Sequence, residues 1–98
     1  MYARVTAYAG TAEDFDRAQE QMESAIVPRV REMNGSAGIL VMINRDTGQS
    51  LSITLWESED AMAESRETAN SIRSEASSAM GSKVTNVNEY EVAVANLS

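Results

Sequence analysis

Residues 38–60 read GILVMINRDTGQSLSITLWESED, and this stretch decides the fold. Gly38 to Ile43 is a continuous apolar run rich in branched side chains, which predicts a strand. Asp46-Thr47-Gly48 is a hairpin turn signal. Leu51 to Trp56 then predicts the return strand. Ser58, followed by Glu59 and Asp60, has the chemistry of a helix N-cap with acids in the first turn to complement the helix dipole. The stretch is therefore strand, hairpin, strand, helix start.

Working outward, Tyr2 to Ala9 alternates larger and smaller side chains and predicts an opening strand. Gly10 ends it. Thr11 with Asp14 three residues on is a weak capping box, and Phe15, Ala18, Met22, Ile26, Val30 and Met33 follow at helical spacing as one apolar stripe. Pro28 lies inside this helix, lacks a backbone donor and is expected to kink or widen its last turns. Asn34-Gly35 stops it, since both residues tolerate the left-handed conformation. Downstream, Met62, Ser65, Ala69, Ile72, Ala76 and Ala79 form the inward stripe of a second helix, and Gly81 ends it. Lys83 to Val94 predicts a fourth strand, leaving Ala95 to Ser98 as a tail.

The order βαββαβ predicts an α+β fold: a ferredoxin-like split β-α-β with an antiparallel four-stranded sheet, strand order 4-1-3-2. Right-handed crossovers place both helices on one face. Residues 1–98 are expected to form a single domain. On the second strand Ile39, Val41 and Ile43 point one way and Leu40 and Met42 the other. Both faces are apolar, and the strand is an edge, so a second copy of the chain is expected to cover what the helices do not. The expected partner is self, as a homodimer.

Composition narrows the chemistry. The 98 residues contain no cysteine and no histidine, which removes thiolate metal sites and the commonest general base and metal ligand. The net charge is −7 with a single lysine, Lys83, so neither nucleic acid nor an anionic membrane is an expected partner. The N-terminus lacks the pattern of a signal peptide, and no apolar run is long enough to span a bilayer. The expected location is cytoplasmic.

The pattern from Met1 to about Val94 resembles the dimeric α+β barrel superfamily, and within it the antibiotic biosynthesis monooxygenase-like family. The segments that carry the resemblance are Tyr2 to Tyr8, PRVREMNG at 28–35, and ITLWESEDAM at 53–62, where a strand ending in Trp meets an acid-Ser cap and a helix. The resemblance implies a pocket between sheet and helices, served by an Asn on the first strand, a Trp ending the third and a His or Tyr on the second helix. Trp56 matches the Trp. Ala3 stands near the Asn position, and the second helix has neither His nor Tyr. The family includes cofactor-independent monooxygenases and haem-degrading enzymes; with only Trp56 matched, no cofactor is expected and haem degradation is not.

Period-two alternation puts Trp56 on one face with Ser52 and Thr54. If that face meets the helices, Ala3 and Ala7 of the first strand and Ala69 and Ala76 of the second helix add small residues around the indole. The candidate ligand-binding set is thus Trp56, Ala3, Ser52, Thr54, Ala69 and Ala76, lining an apolar pocket, against the plainer reading that Trp56 fills the space itself. Tyr2, Arg4, Thr6 and Tyr8 form the other face of the first strand. Arg4 there needs a carboxylate, and Glu89 or Glu91 is the expected partner, in a structural ion pair rather than a catalytic role. Glu57, Glu59, Asp60 and Glu64 read as helix-capping acids, and Asn34-Gly35-Ser36 as a helix stop rather than a glycosylation site.

Three functions remain. The first is a protein that binds a small apolar or aromatic metabolite near Trp56. The second is a cofactor-independent monooxygenase oxidising a polyphenol or quinol with O2, which needs a base to form a phenolate. The third is a structural protein with no ligand. An open or a filled space beside Trp56 separates the first two from the third.

Overall fold

A computed structural model describes residues 1–97; Ser98, the last residue of the expected tail, lies outside them. The elements run β1 (Tyr2–Ala9), α1 (Ala12–Gln21), a π-helical turn (Met22–Ile26), α2 (Val27–Arg31), β2 (Ser36–Ile43), β3 (Ser50–Trp56), α3 (Glu59–Glu64), α4 (Arg66–Met80) and β4 (Lys83–Glu91). The sheet is antiparallel with order β2-β3-β1-β4, as expected, and the helices pack on one face. This is the α+β ferredoxin-like arrangement.

The local chemistry accounts for the boundaries. Thr11 Oγ1 accepts from the Asp14 amide and Ser58 Oγ from the Ala61 amide, both at 3.1 Å, so each cap does what its sequence implied. Pro28 widens the first helix rather than ending it. The Val27 amide reaches back five residues to the Met22 carbonyl, and Pro28 starts the next α-helical turn, where its missing donor costs nothing. Gly81 closes α4 with φ 58°, a left-handed cap.

Three expectations need correction. The second helix is two helices: Ser65 closes α3 and precedes α4, its hydroxyl donating to the Met62 carbonyl at 2.7 Å. The last strand ends at Glu91, not Val94. The largest correction concerns β1. Tyr2 pairs with Trp56, Arg4 with Thr54, Thr6 with Ser52 and Tyr8 with Ser50, so the even residues of β1 share the face of Trp56. That face meets the helices. Ala3 and Ala7 pair with Leu55 and Leu51 on the opposite face, away from the expected site. The polar row turns inward because the helices bring hydrogen-bond acceptors to Arg4.

The main core lies between sheet and helices and holds Tyr8, Phe15, Ala18, Met22, Ile26, Val30, Ile72, Ala76 and Met80. The apolar stripe of the first helix is buried along Phe15, Ala18, Met22, Ile26 and Val30. The far face of the sheet carries no helix. Leu40 and Met42 there are 54% and 43% exposed, and Tyr90, opposite Ala3, is 52% exposed.

Candidate ligand site

Trp56 ends β3 and is 1% exposed. Its indole Nε1 donates to Thr54 Oγ1 at 3.1 Å, so the one polar group of the ring is satisfied on its own strand. Ala61 and Met62 of α3 pack against it, with Tyr2 and Met33 beside them. Trp56 is therefore a core residue on one side. On the other it forms part of the wall of a cavity of about 60 Å3 between sheet and helices.

The cavity is lined by Ser52, Thr54, Trp56, Ala69 and Ala76, which the sequence grouped together, and not by Ala3. Its sheet wall also includes Arg4, Thr6, Tyr8 and Ser50. Its helix wall includes Met22, Ile26 and Val27 at the π-helical turn, Met33, and Ile72, Arg73 and Met80 of α4. The volume holds a few water molecules and is well below the ~150 Å3 of a cavity that admits benzene. A ring enters only if the walls yield. Met22, Met33 and Met80 are unbranched and give way more readily than branched side chains.

Thr6, Tyr8 and Ser50 are buried, yet among the described residues none of their hydroxyls makes a hydrogen bond within the chain, and none is sealed from the cavity. Burial pushes the Tyr8 hydroxyl above its ordinary pKa, and Arg73 pulls weakly the other way. At neutral pH Tyr8 is a hydrogen-bond donor and not a base. Among the described residues no Asp or Glu side chain lines the cavity.

Arg4 is 3% exposed and nearly saturated. Its Nε and Nη2 donate to Glu89 Oε2 at 3.1 and 2.8 Å, Nη1 to Ser65 Oγ at 3.1 Å and Nη2 to the Met62 carbonyl at 3.0 Å. Its guanidinium carbon stands 5.8 Å from the Trp56 ring centre, within cation–π range. Glu89 is the expected carboxylate, while Glu91 lies opposite Tyr2. Glu89 also accepts from Arg66 at 2.6 Å. Arg4 thus braces β1, β4 and the α3–α4 junction, and it sits on the helix side of the sheet instead of the far side.

Sequence reasoning did not single out Arg73, and it set Thr6 and Tyr8 on the wrong face. Arg73 lies four residues after Ala69 and three before Ala76, a cation beside the inward stripe, which is the signal that could have found it. It is partly buried. Burial, then the Arg4 charge, lowers its pKa from the ordinary arginine value.

No family model matches the chain. An uncharacterised protein of Mycobacterium tuberculosis, Rv2557, is 28% identical over 93 residues, covering 95% of this chain and 41% of the relative. The chain thus spans less than half the length of the curated relatives it matches. Among solved structures, a monooxygenase from the ActVA-Orf6 gene of Streptomyces coelicolor, in complex with nanaomycin D, superposes with a TM-score of 0.71 at 18% identity, over 99% of this chain and 91% of that one. A mutant of MhuD with two manganese protoporphyrin IX molecules bound per active site superposes with a TM-score of 0.68 at 16% identity over the full length of both. The chain has the ferredoxin-like α+β fold of the antibiotic biosynthesis monooxygenase-like proteins.

Proposed function

We infer that this is a small-molecule-binding protein that works as a cytoplasmic homodimer, holding a small apolar or aromatic metabolite in the cavity beside Trp56. The observation that carries the reading is the row Thr6, Tyr8 and Ser50, three buried residues that line the cavity and whose hydroxyls have no hydrogen-bond partner among the described residues. These hydroxyls are open to the cavity, where water or a ligand can meet them, and a core built only for packing does not gather several such groups around one space. A ligand with a polar edge satisfies them, and the three methionines let the walls fit its body.

Trp56 is the sole tryptophan, so its fluorescence reports on this one site. A bound ring is expected to quench it saturably. Ala69→Phe fills the cavity from α4 and is expected to weaken that quenching at least tenfold. Linear, collisional quenching in the wild type would leave only the structural reading, and Ala69→Phe would then overpack the core at about 1–3 kcal/mol.

The likeness to a monooxygenase supports a second reading, oxidation of a polyphenol or quinol by O2 without a cofactor. Such chemistry needs a base near the substrate hydroxyl. The cavity walls offer Tyr8, held protonated, and no carboxylate, so binding is the better-supported activity. Oxygen uptake with a dihydroxynaphthalene, lost in Trp56→Phe, would reverse that order.

A porphyrin ligand fits poorly. The sequence offers no His or Cys as an axial donor, and about 60 Å3 is far too little for a macrocycle. Titration with haem is expected to give no stable Soret shift saturating at one haem per subunit; a saturable shift would contradict this.

A further inference from the structure

We propose that Arg73 is the anion anchor of the cavity, so that the ligand is a small aromatic carboxylate with its ring toward Trp56 and its carboxylate on the Arg73 guanidinium. The proposal rests on the binding reading above and specifies the ligand class.

Two guanidinium groups reach the cavity, and their situations differ. Arg4 spends its donors on Glu89, Ser65 and the Met62 carbonyl, which leaves it one free N–H on Nη1. Among the described residues Arg73 makes one side-chain hydrogen bond, from Nη1 to Asn70 Oδ1 at 2.6 Å, and pairs with no carboxylate. The acceptor is a neutral amide on its own helix. Arg73 Nε and Nη2 remain without partners, and that edge of a guanidinium is the one that grips a carboxylate with two parallel bonds. Both Arg4 and Arg73 also line a shallow surface depression with Arg66 and Glu89, so Arg73 stands where the interior opens to solvent. Glu89, the nearby carboxylate, is already held by Arg4 and Arg66.

A partly buried cation with no carboxylate in ion-pair range is costly, more so beside a second cation, and the Glu89 charge offsets only part of this from further off. An incoming carboxylate offsets that cost, and a neutral ligand of the same shape does not. The site therefore selects by charge. The anion brings no proton to be removed, which suits walls that hold no base. Tyr8 lines the same cavity as Arg73, and its neutral hydroxyl is a further donor for the ligand.

The test compares benzoate with benzamide, matched in shape and different in charge, by quenching of Trp56 fluorescence. In the wild type benzoate is expected to bind about ten- to a hundredfold more tightly than benzamide, the range of a hydrogen-bonded charge pair. Arg73→Gln is expected to abolish that preference by weakening benzoate far more than benzamide, and Arg73→Lys to retain part of it. Far-ultraviolet circular dichroism checks that each variant is folded. Equal affinities for the two probes in the wild type, or a preference that survives Arg73→Gln, would overturn the anchor and leave the binding site standing. Saturable quenching by neither probe would remove the binding reading and the anchor with it.

Discussion

Replacing Glu89 by alanine is expected to destabilise the chain by about 3 kcal/mol, more than replacing the arginine it holds. Removing one partner of a buried ion pair strands the other charge, and such losses run to about 3–5 kcal/mol. Glu89 is 25% exposed, so some water reaches the gap and the lower end applies. Arg4 would keep Ser65 Oγ and the Met62 carbonyl, both neutral, with Arg73 adding a like charge nearby. Arg4→Met strands nothing comparable. Glu89 retains Arg66, and the Ser65 hydroxyl already donates to the Met62 carbonyl. That variant is expected to cost about 1–2 kcal/mol, closer to lost hydrogen bonds than to a stranded charge. For a domain of this size a loss of about 3 kcal/mol lowers Tm by at least about 12 °C. Urea midpoints for the two variants decide the matter, and Arg4→Met proving the more damaging would refute the asymmetry.

The same pair gives the protein an acid limb. Arg66 first, then Arg4, holds the Glu89 carboxyl below its ordinary value of 4.5. A carboxyl whose pKa is lower in the folded chain contributes stability that is complete above the unfolded value and is lost as pH falls through the folded one. Wild-type stability is therefore expected to decline as pH falls below about 4.5, and Glu89→Gln to flatten that decline. Denaturation series at about pH 7 and about pH 3.5, on either side of that value, measure it; equal slopes in the two proteins would contradict the assignment.

The strands, the hairpin and the helix caps were legible because each rests on local pattern (alternation, a turn tripeptide, a capping hydroxyl), and the strand order followed from the order of the elements. The facing of β1 was not. Alanine and valine at 3, 5 and 7 look like the buried row and Arg4 with Thr6 like the outer one. What reverses this is tertiary: Arg4 meets Met62, Ser65 and Glu89, acceptors 58, 61 and 85 positions away in sequence. No periodicity carries that information. Ala3 left the candidate site for this reason, while Ser52, Thr54, Ala69 and Ala76 kept their places because their alternation is tied to Trp56 and to the helix stripe. Arg73 has no distinguishing local pattern: in sequence it is one charge beside the inward stripe of the helix, and only the tertiary structure brings it to the cavity.

Leu40→Lys is expected to dissociate the proposed homodimer while leaving the subunit folded. The argument starts from the uncovered sheet face. Leu40 and Met42 of β2 lie beside Ile53 and Leu51 of β3, and Val5 of β1 continues the row across the sheet. A solvent-facing antiparallel sheet carries polar residues there, so the apolar row supports the proposed interface. In the proposed dimer a second copy lies face to face on it, with the contact expected to exceed the roughly 1,000 Å2 of a stable assembly. A two-fold interface contains every residue twice, so one substitution acts twice. At about 2 kcal/mol for each buried lysine, the dimer weakens by about 4 kcal/mol, close to a thousandfold. In the free subunit the lysine stands in water and costs about 0.5 kcal/mol or less. Val41→Lys is the matched control. It sits one residue along the same strand, pairs with Ser52 and lines the cavity wall, so it is expected to disturb ligand binding and spare the dimer. Sedimentation at micromolar concentration should give twice 10.6 kDa for the wild type and Val41→Lys, and 10.6 kDa for Leu40→Lys. A wild type that sediments at 10.6 kDa would end the proposal outright. Dissociation by Val41→Lys and not by Leu40→Lys would place the interface on the wrong side of the sheet.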